Sequence, residues 1–458
     1  MNANTRTAAA GESGQRAWNP LILLLSAVIL AAALTWILPS GSFDRRDDPS
    51  TGRRIVVAGT YHRVAEAPVG PFAAAVVVPR GFVAAAEVIA VVLFVGGAWV
   101  VVDRLGTLPA VVAALVRRFR HRGLWAIPVV CVFFATMGAL ENMQEEIIPL
   151  VPVLLVLGRG LGVDGVVVVA MSAGAAMIGS AFGPTNPFQA GIALKLAQLP
   201  ALSGGGLRLT MFIVGLALWI GWTMRYATRN RVAPSNVDVE ADASLPPKHA
   251  IILAIAVAPM AAYVYGALRL DWGLNELSGA FLVGGFVAGV TGGLGIAGTL
   301  AVYVEGMQGL LPAALMIGVA RSISLVLEDG RVVDTILNDL AVPLSHAPAA
   351  LAAFLMIGFH AIVHIPVPSV SGQAVLTMPL VVPLADLLGL SRQVPVLAYQ
   401  TGAGLMDLMT PTNGALMAVL VAAGVSLQRW IRFAFGAVIL ATLLGIVGIA
   451  AVIWLDVG

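Results

Sequence analysis

The sequence predicts an all-α polytopic membrane protein, and its composition is the first reason. Of 458 residues, 59% are hydrophobic and 11% are charged, whereas soluble domains average about 25% charged residues. The 26 Lys and Arg against 24 Asp and Glu leave a net charge of +2, so no basic surface suggests a nucleic-acid partner. The single cysteine, Cys131, excludes intrachain disulfides and Cys-based metal clusters.

Apolar segments of membrane-spanning length are the second reason. The first runs from Leu21 to Leu38, after a polar tail at residues 1–19. It lacks the small-residue cleavage site of a secretory signal, so we interpret it as an uncleaved span. Further apolar runs reach spanning length, and proline interrupts the last two of them; they lie at about 81–102, 207–224, 249–268, 276–298, 308–327, 431–454, 164–200 and 393–424.

Basic residues near the span ends predict the orientation, because cytoplasmic loops are enriched in Lys and Arg. Three groups should face the cytoplasm: Arg117, Arg118, Arg120 and Arg122; Arg225, Arg229 and Arg231; and Arg429 with Arg432. The stretch 41–80 has mixed charge, and we place it outside. The stretch 227–248 is a cytoplasmic linker. This arrangement gives nine spans, with the N-terminus inside and the C-terminus outside.

Tryptophans near the span ends are typical of membrane-interface anchors. The residues to which we assign this role are Trp18, Trp36, Trp125, Trp219, Trp222, Trp430 and Trp454.

An internal repeat is the third reason for the fold class. Pro-Thr-Asn at 184–186 recurs 227 residues later at 411–413. The same offset, without gaps, aligns Pro152 with Pro379. In so apolar a chain, apolar residues would often match by chance, whereas a polar triplet and aligned prolines seldom would. The sequence therefore predicts two related halves.

The charge bias indicates that the halves are inverted. The span ending near residue 102 precedes the basic group at 117–122, whereas its counterpart precedes an acidic group consisting of Glu328, Asp329, Asp334 and Asp339. Opposite bias at equivalent positions predicts opposite sides of the membrane. Inverted repeats with broken helices at the midplane are typical of secondary transporters. The repeats are predicted at 20–226 and 276–458, with a linking span at 249–275.

Two polar runs inside apolar segments predict re-entrant hairpins. The hairpin at 124–158 carries the polar run 141–146 at its tip, and the hairpin at 350–389 carries the run 368–373. Irregular backbone at membrane depth needs protein or a watery cavity to satisfy its polar groups. We therefore expect two hairpin tips, entering from opposite sides, and two broken helices to meet at one cavity.

Five short motifs are distributed along residues 20–455. They are Glu-Glu at 145–146, Pro-Thr-Asn-Pro-Phe at 184–188, Ile-Gly-x-Ala-Arg at 317–321, Ser-Gly-Gln-Ala-x-x-Thr-Met-Pro at 371–379 and Pro-Val-Leu-Ala-Tyr-Gln at 395–400. Together they resemble the YfcC-type family, which is related to the ArcD-like basic amino acid antiporters and the DcuC C4-dicarboxylate carriers of the ion transporter superfamily. The resemblance implies a scaffold-plus-elevator fold, a homodimer in the bacterial inner membrane, and ion-coupled or exchange transport of small charged metabolites.

Arg321 is the clearest candidate for substrate binding. It lies within an apolar run, where an ionisable side chain costs roughly 2.5–3.5 kcal/mol and indicates function. A fixed guanidinium would hold a substrate carboxylate in a bidentate pair. The alternative is a structural ion pair with Glu87 or Asp407.

Acidic residues supply the opposite charge. Glu145 and Glu146 are candidates for binding a substrate ammonium or guanidinium, a sodium ion, or a proton, since adjacent confined carboxylates repel each other; the alternative is a solvated turn. Asp407 occupies the position equivalent to Ser180, and this asymmetry is where substrate recognition is expected.

Oxygen-bearing residues at the breaks and tips complete the predicted site. Substrate contacts are also assigned to Asn186, Asn413, Ser371 and Gln373, and ion-binding contacts to Thr185, Asn186, Thr412, Asn413, Asn142 and Gly372. No cofactor is expected, and no metal beyond a coupling Na⁺, with H⁺ as the other coupling ion. His360 and His364 form an i, i+4 pair without a third ligand, which favours a packed or hydrogen-bonded pair over a metal site.

The predicted function is secondary active transport of a small charged metabolite. Three acids, Glu145, Glu146 and Asp407, outnumber the one base, Arg321, which favours a basic amino acid. The alternative is a C4-dicarboxylate or another small carboxylate coupled to Na⁺ or H⁺, because two sodium ions would neutralise two acids. A channel or an intramembrane enzyme is the third possibility, although no catalytic motif is evident. The lipid bilayer and the small-molecule substrate are the expected partners, together with a second copy of the chain.

Overall fold

The computed structural model describes most of the chain. The described residues are 20–49, 53–108, 110–111, 123–184, 186–200, 202–232, 246–270 and 272–455. Predictions that concern other residues lie outside these ranges; they include the tail at 1–19, Arg117, Arg118, Arg120, Arg122 and Thr185.

Helices form nearly all of the described structure, and the prediction of an all-α polytopic membrane protein is confirmed. In chain order they are α1 (Pro20–Ile37), α2 (Pro71–Ala84), α3 (Ala86–Arg104), α4 (Ala126–Glu141), α5 (Val151–Leu161), α6 (Gly165–Phe182), α7 (Ile192–Leu196), α8 (Gly205–Arg229), α9 (Pro247–Arg269), α10 (Leu274–Gly292), α11 (Gly295–Asp329), α12 (Val333–Ser345), α13 (Ala349–His364), α14 (Val370–Leu387), α15 (Gln393–Met406), α16 (Gly414–Ala422) and α17 (Leu427–Leu455).

Seven helices in the described ranges are long and apolar enough to cross a membrane. They are α3, α6, α8, α10, α11, α14 and α17. Helix α11 has 35 residues, so the predicted spans at 276–298 and 308–327 have other limits. The break comes earlier because Gly293 and Gly295 adopt φ values of 101° and 67°, a region that favours glycine.

The polar stretch predicted as a loop at 41–80 contains regular structure. Strand β1 (Gly41–Ser42) pairs with β4 (His62–Arg63), and β2 (Arg45–Asp48) pairs with β3 (Arg53–Val56), both antiparallel. The Arg45 guanidinium lies 2.9 Å from a carboxylate oxygen of Asp334. The backbone N–H of Phe43 donates to the same carboxylate at 2.9 Å. The contacts of Arg45 and Phe43 with Asp334 attach these two strand pairs, the ribbons, to α12.

Both predicted hairpins contain two helical arms joined by an irregular tip. Helix α4 ends at Asn142, which has a left-handed φ of 58°, and a 3₁₀ segment at Glu145–Leu150 leads into α5. In the second hairpin, α13 and α14 are joined by a tip whose Ser369 side chain accepts the N–H of Gly372 and caps α14.

Both proline-interrupted runs are broken helices with an asparagine cap. After α6 the chain leaves helical geometry, and the Asn186 side chain accepts the N–H groups of Phe188 and Gln189 at the start of the next helical turn. After α15, the Asn413 side chain accepts the N–H of Leu416 at the start of α16. An asparagine in this position satisfies orphan donors of the helix.

Small residues let the first hairpin approach its broken helix closely. A Cβ atom on Gly138 would lie 2.0 Å from the backbone oxygen of Ala176, and one on Gly179 would lie 2.0 Å from that of Ala135. Helices α4 and α6 therefore contact each other backbone to backbone, as membrane helices with small interface residues do.

Two tryptophans predicted as interface anchors lie in the core instead. Trp219 and Trp430 are 1% and 0% exposed, respectively. Their indole N–H groups donate at 2.8 Å to the backbone oxygens of Ala170 and Leu408. The anchor prediction is wrong for both, because the carbonyls of a π-helical turn and of a helix break provide the hydrogen-bond partner that buried indole needs.

Helix α8 separates two polar ends of the molecule. At its first turn, Arg208 donates to the side chains of Gln393 and Gln400. The adjacent Arg392 and Arg46 of β2 line one surface cavity. The last residue, Arg229, stands 21 residues after Arg208 on the same helix, which corresponds to about 32 Å. There two of the predicted cytoplasmic basic groups meet in a second cavity, formed by Arg225, Arg229, Arg429 and Arg432. The ribbons and these arginines thus lie at opposite ends.

Candidate functional site

A cavity of about 440 Å³ lies between the two hairpin tips and the second helix break, within the size range of small-molecule sites. Its polar and charged lining residues are Asn142, Gln144, Glu145, Arg321, Ser324, Ser369, Ser371, Asp407, Thr412 and Asn413. Phe188, next to the first break, completes one wall. The two tips and the second helix break therefore meet at one cavity, as expected, whereas the first break contributes only Phe188 to the lining among the described residues.

The predicted site residues divide into two groups. Those that line the cavity are Asn142, Glu145, Arg321, Ser371, Asp407, Thr412 and Asn413. The described residues that lie outside its lining are Glu146, Asn186, Gly372 and Gln373. The roles assigned to both groups stay predictions, and Thr185 lies outside the described ranges.

Arg321 reaches the cavity from the C-terminal third of α11. Its side chain is 39% exposed, and its guanidinium lies 3.6 Å from a carboxylate oxygen of Glu328, two turns further along the helix. Glu87, one of the two partners considered from the sequence, instead accepts a hydrogen bond from Asn275 at 3.1 Å. Because the side chain is partly exposed and its ion pair within the described residues is long, the guanidinium can donate hydrogen bonds to a ligand.

The two adjacent glutamates of the first tip have different surroundings. Glu145 lines the cavity. Glu146 is buried at 8% exposure and accepts the backbone N–H of Gln144 at 3.1 Å. Consecutive residues of a 3₁₀ segment point about 120° apart, so only one carboxylate faces the ligand space.

Asp407 is the centre of a buried hydrogen-bond network in the second helix break. Its Oδ1 accepts Asn413 Nδ2 at 2.6 Å and lies 2.8 Å from His364 Nε2. Its Oδ2 accepts Gln144 Nε2 at 3.0 Å. Gln144 belongs to the first hairpin tip, so this carboxylate links the first half of the chain to the second.

The network continues from His364 into the second hairpin. His364 Nδ1 lies 2.8 Å from Gln373 Oε1, and Gln373 Nε2 donates to the backbone oxygen of His360 at 2.8 Å. All three side chains are 0% exposed. The histidines are thus a hydrogen-bonded pair, bridged by Gln373. Among the described residues no group of three or more His, Cys, Asp and Glu side chains is arranged to hold a metal ion.

The first helix break has a neutral version of the same arrangement. Asn186 Nδ2 donates to Ser180 Oγ at 2.9 Å and to Asn142 Oδ1 at 3.1 Å. Ser180 in turn donates to Asn142 and to Gln189. Ser180 and Asn186 stand 227 residues before Asp407 and Asn413 and make the equivalent contact. The structure therefore pairs these positions as the sequence offset does, with a charge in the second break only.

Sequence reasoning overlooked two residues of the site. Gln144 stands 227 residues before the predicted site residue Ser371, and this offset is the signal that could have identified it. For His364 the sequence predicts only a packed or hydrogen-bonded histidine pair. Its spacing to Asp407 is 43 residues, and no local pattern connects two positions so far apart.

The comparisons with known proteins agree with the geometry. The sequence profile of the C4-dicarboxylate anaerobic carrier family, DcuC, matches residues 19–454. The chain is 31% identical over 477 aligned positions to the putative basic amino acid antiporter YfcC of Escherichia coli K12, covering 93% of each chain. It is 26% identical to an uncharacterized protein of Haemophilus influenzae, covering 90% of this chain and 92% of that protein.

Two solved transporter structures align with the chain at low similarity. The YdaH transporter of Alcanivorax borkumensis aligns with a TM-score of 0.40 at 16% identity, covering 95% of this chain and 98% of that one. MtrF of Neisseria gonorrhoeae, from a class of antimetabolite efflux pumps, aligns with a TM-score of 0.41 at 16% identity, covering 96% of each chain. The profile match over nearly the whole chain, with the identity to YfcC, shows that this chain belongs to the DcuC family of membrane carriers.

Proposed function

We propose that the chain is a secondary active transporter of a basic amino acid and that the cavity between the hairpin tips is its substrate site. One observation carries the proposal: Arg321, Glu145 and Asp407 line the same cavity. A basic amino acid carries one carboxylate and two cationic groups. These charges complement the one guanidinium and two carboxylates of the cavity lining. The relative YfcC, whose name describes a putative basic amino acid antiporter, supports the same substrate class.

The cavity offers two kinds of donor for a substrate carboxylate. Arg321 offers a planar pair of donors, and Gly414 and Ala415, the first two residues of α16, also line the cavity. The N–H groups at the N-terminus of a helix attract an anion. The substrate ammonium would then face Glu145, because this carboxylate also lines the cavity.

A C4-dicarboxylate is the second candidate, because the family profile describes a carrier of such compounds. It would place a second carboxylate in a lining that contains one arginine and two acids among the described residues. Two bound sodium ions would have to neutralise those acids. The oxygens predicted for such ions include the hydroxyl of Thr412, which already donates to the backbone oxygen of Ile365 at 2.7 Å.

Counterflow in proteoliposomes tests the proposal. Radiolabelled arginine should enter vesicles preloaded with unlabelled arginine or ornithine, and external succinate should not block it. The reverse pattern would favour the dicarboxylate. Saturable exchange also separates a carrier from a channel, which conducts without counterflow.

Arg321→Ala should lose roughly tenfold or more in arginine affinity, since a hydrogen bond to a charged group contributes about 1.5–3 kcal/mol. Arg321→Lys should be impaired as well, because an ammonium cannot reproduce the planar fork. Arg80→Ala is the matched control: this exposed arginine pairs with Asp329 outside the cavity. Normal arginine affinity in a folded Arg321→Ala protein would contradict the assigned role.

The same proposal includes an elevator-type movement of the hairpins and broken helices, a homodimer, and an inner-membrane location with the N-terminus in the cytoplasm. The inverted charge bias and the positions of the arginine groups support the orientation. Light scattering of the purified protein in detergent would measure the oligomeric state.

A further inference from the structure

The orientation of the Gln373 amide determines which nitrogen of His364 carries a proton. Gln373 Nε2 lies 2.8 Å from the backbone oxygen of His360, and a carbonyl oxygen requires a donor there. The Gln373 oxygen therefore faces His364 Nδ1 at 2.8 Å. An amide oxygen only accepts hydrogen bonds, so His364 Nδ1 must carry a hydrogen.

The neighbours of Asp407 determine the other nitrogen. The Asn413 oxygen accepts the backbone N–H of Leu416 at 3.0 Å, so the Asn413 NH₂ group faces Asp407 Oδ1. The same NH₂ group faces the Gln144 oxygen at 3.3 Å, which turns the Gln144 NH₂ group to Asp407 Oδ2. Both carboxylate oxygens thus accept hydrogen bonds from amide groups of fixed orientation.

A carboxylate in that setting is an acceptor, and His364 Nε2 lies 2.8 Å from it. If Nε2 were unprotonated, its lone pair would face a lone pair of Oδ1, and a buried negative charge would lack a counterion. Such a charge is strongly unfavourable at membrane depth. The hydrogen-bond pattern therefore requires one proton between Nε2 and Oδ1. Both Asp407 oxygens also accept amide hydrogens, and such bonds favour the ionised carboxylate, so we place this proton on Nε2 and treat His364 as an imidazolium paired with Asp407.

The other titratable groups around the pair do not replace this proton. His360 Nδ1 faces the donating Gln373 Nε2 at 3.5 Å and is therefore the unprotonated nitrogen of a neutral ring. Glu145 faces the same cavity, Glu146 lies in the 3₁₀ segment packed against α16, and Arg321 is on α11, which also packs against α16. His364 lies within hydrogen-bond distance of the Asp407 carboxylate, and Glu145 interacts with Asp407 through its charge.

We propose that the His364–Asp407 pair is the coupling site of the transporter, and that its bound proton and a cationic group of the substrate compete for the Asp407 carboxylate. Asp407 lines the cavity, whereas His364 is fully buried behind it. With the proton bound, the pair is neutral. When the proton leaves His364 for water in the cavity, Asp407 becomes an uncompensated negative charge that a substrate ammonium or guanidinium can neutralise.

The exchange is balanced in charge, because one proton leaves as one cationic group arrives. It also involves both halves of the chain, since Gln144 of the first hairpin tip donates to the same carboxylate. Proton loss would therefore change the bond between the first tip and the second helix break. This is the stoichiometry of an antiporter that exchanges a cationic substrate for a proton.

Solid-state NMR of ¹⁵N-histidine-labelled protein in lipid vesicles tests the protonation without any substrate. We expect one of the six histidines to show two protonated ring nitrogens near neutral pH, and this signal should disappear in His364→Gln. It should persist in His360→Gln, the control one helical turn away. A signal of His364 with one unprotonated ring nitrogen at neutral and mildly acidic pH would overturn the proposal.

The second measurement uses arginine as the probe and rests on the proposed function. Arginine affinity of the wild type should rise up to about tenfold per pH unit while the pair is protonated, as expected when a proton and a ligand compete. Asp407→Asn and His364→Gln should remove this dependence, and His360→Gln should keep it. Failure of arginine to bind would contradict the substrate assignment alone, and the NMR result would still decide the proton site. A pH dependence unchanged in His364→Gln would refute the coupling role.

Discussion

The strength of the bond between His364 and Asp407 can be measured as a coupling free energy. Replacing Asp407 by Asn removes the negative charge that balances the His364 imidazolium. The NH₂ group of the new asparagine would also face one of the three groups that donate to Asp407. Replacing His364 by Gln leaves the Asp407 carboxylate with two amide donors and no counterion. Each single change breaks a buried charged pair, which costs about 3–5 kcal/mol of unfolding free energy.

The double variant His364→Gln/Asp407→Asn buries no unpaired charge, since both partners are then neutral amides. We therefore expect its loss of stability to be smaller than the sum of the single losses by about 2–3 kcal/mol, within the range of coupled neighbours. Equilibrium unfolding of the purified protein by SDS titration in detergent micelles would measure all four corners of the cycle.

A control cycle combines Asp407→Asn with His249→Gln. His249 lies at the start of α9 and contacts Thr107 at 3.0 Å, and it has no contact with the network. Its effect should add to that of Asp407→Asn within about 0.5 kcal/mol. If the His364 cycle were equally additive, the two groups would not form a charged pair, and the argument for a bound proton would be refuted.

Two further predictions concern packing and orientation. Gly179→Ala should destabilise the protein by about 1–3 kcal/mol, because its Cβ would overlap a backbone oxygen of α4. The control Gly358→Ala, at an open position of α13, should be neutral or slightly stabilising. Equal effects of the two substitutions in SDS unfolding would contradict this prediction. In a Cys131→Ala background, Arg46→Cys should react with an impermeant maleimide added to whole cells and Arg229→Cys should not; the opposite labelling would reverse the predicted orientation.

Much of the architecture follows from local sequence. A span or a hairpin arm is predicted by the length of an apolar run, because bilayer thickness fixes how many residues are needed. A helix break is predicted by proline followed by asparagine, because proline cannot continue the hydrogen-bond ladder and asparagine caps the helix that follows. The recurrence of Pro-Thr-Asn at 184–186 and 411–413 also predicts two helix breaks, one in each half of the chain.

The lining of the site depended on tertiary contacts. The sequence does not distinguish the adjacent residues Glu145 and Glu146. In the structure Glu145 lines the cavity, whereas Glu146 is buried. The sequence position of Trp430 predicts an interface anchor. In the structure its indole N–H donates to the carbonyl of Leu408 in the core.

The proton-binding pair illustrates the same division most clearly. The sequence showed an acid at 407 that breaks the symmetry of the repeat and two histidines one helical turn apart. Only the fold brings His364 to Asp407 and turns Gln144 and Gln373 so that their amides fix the hydrogen positions. Hydrophobicity and helix propensity act over neighbouring residues and can be derived from a single chain. The protonation of a buried group depends on donors and acceptors from distant segments, and folding alone decides which of them meet.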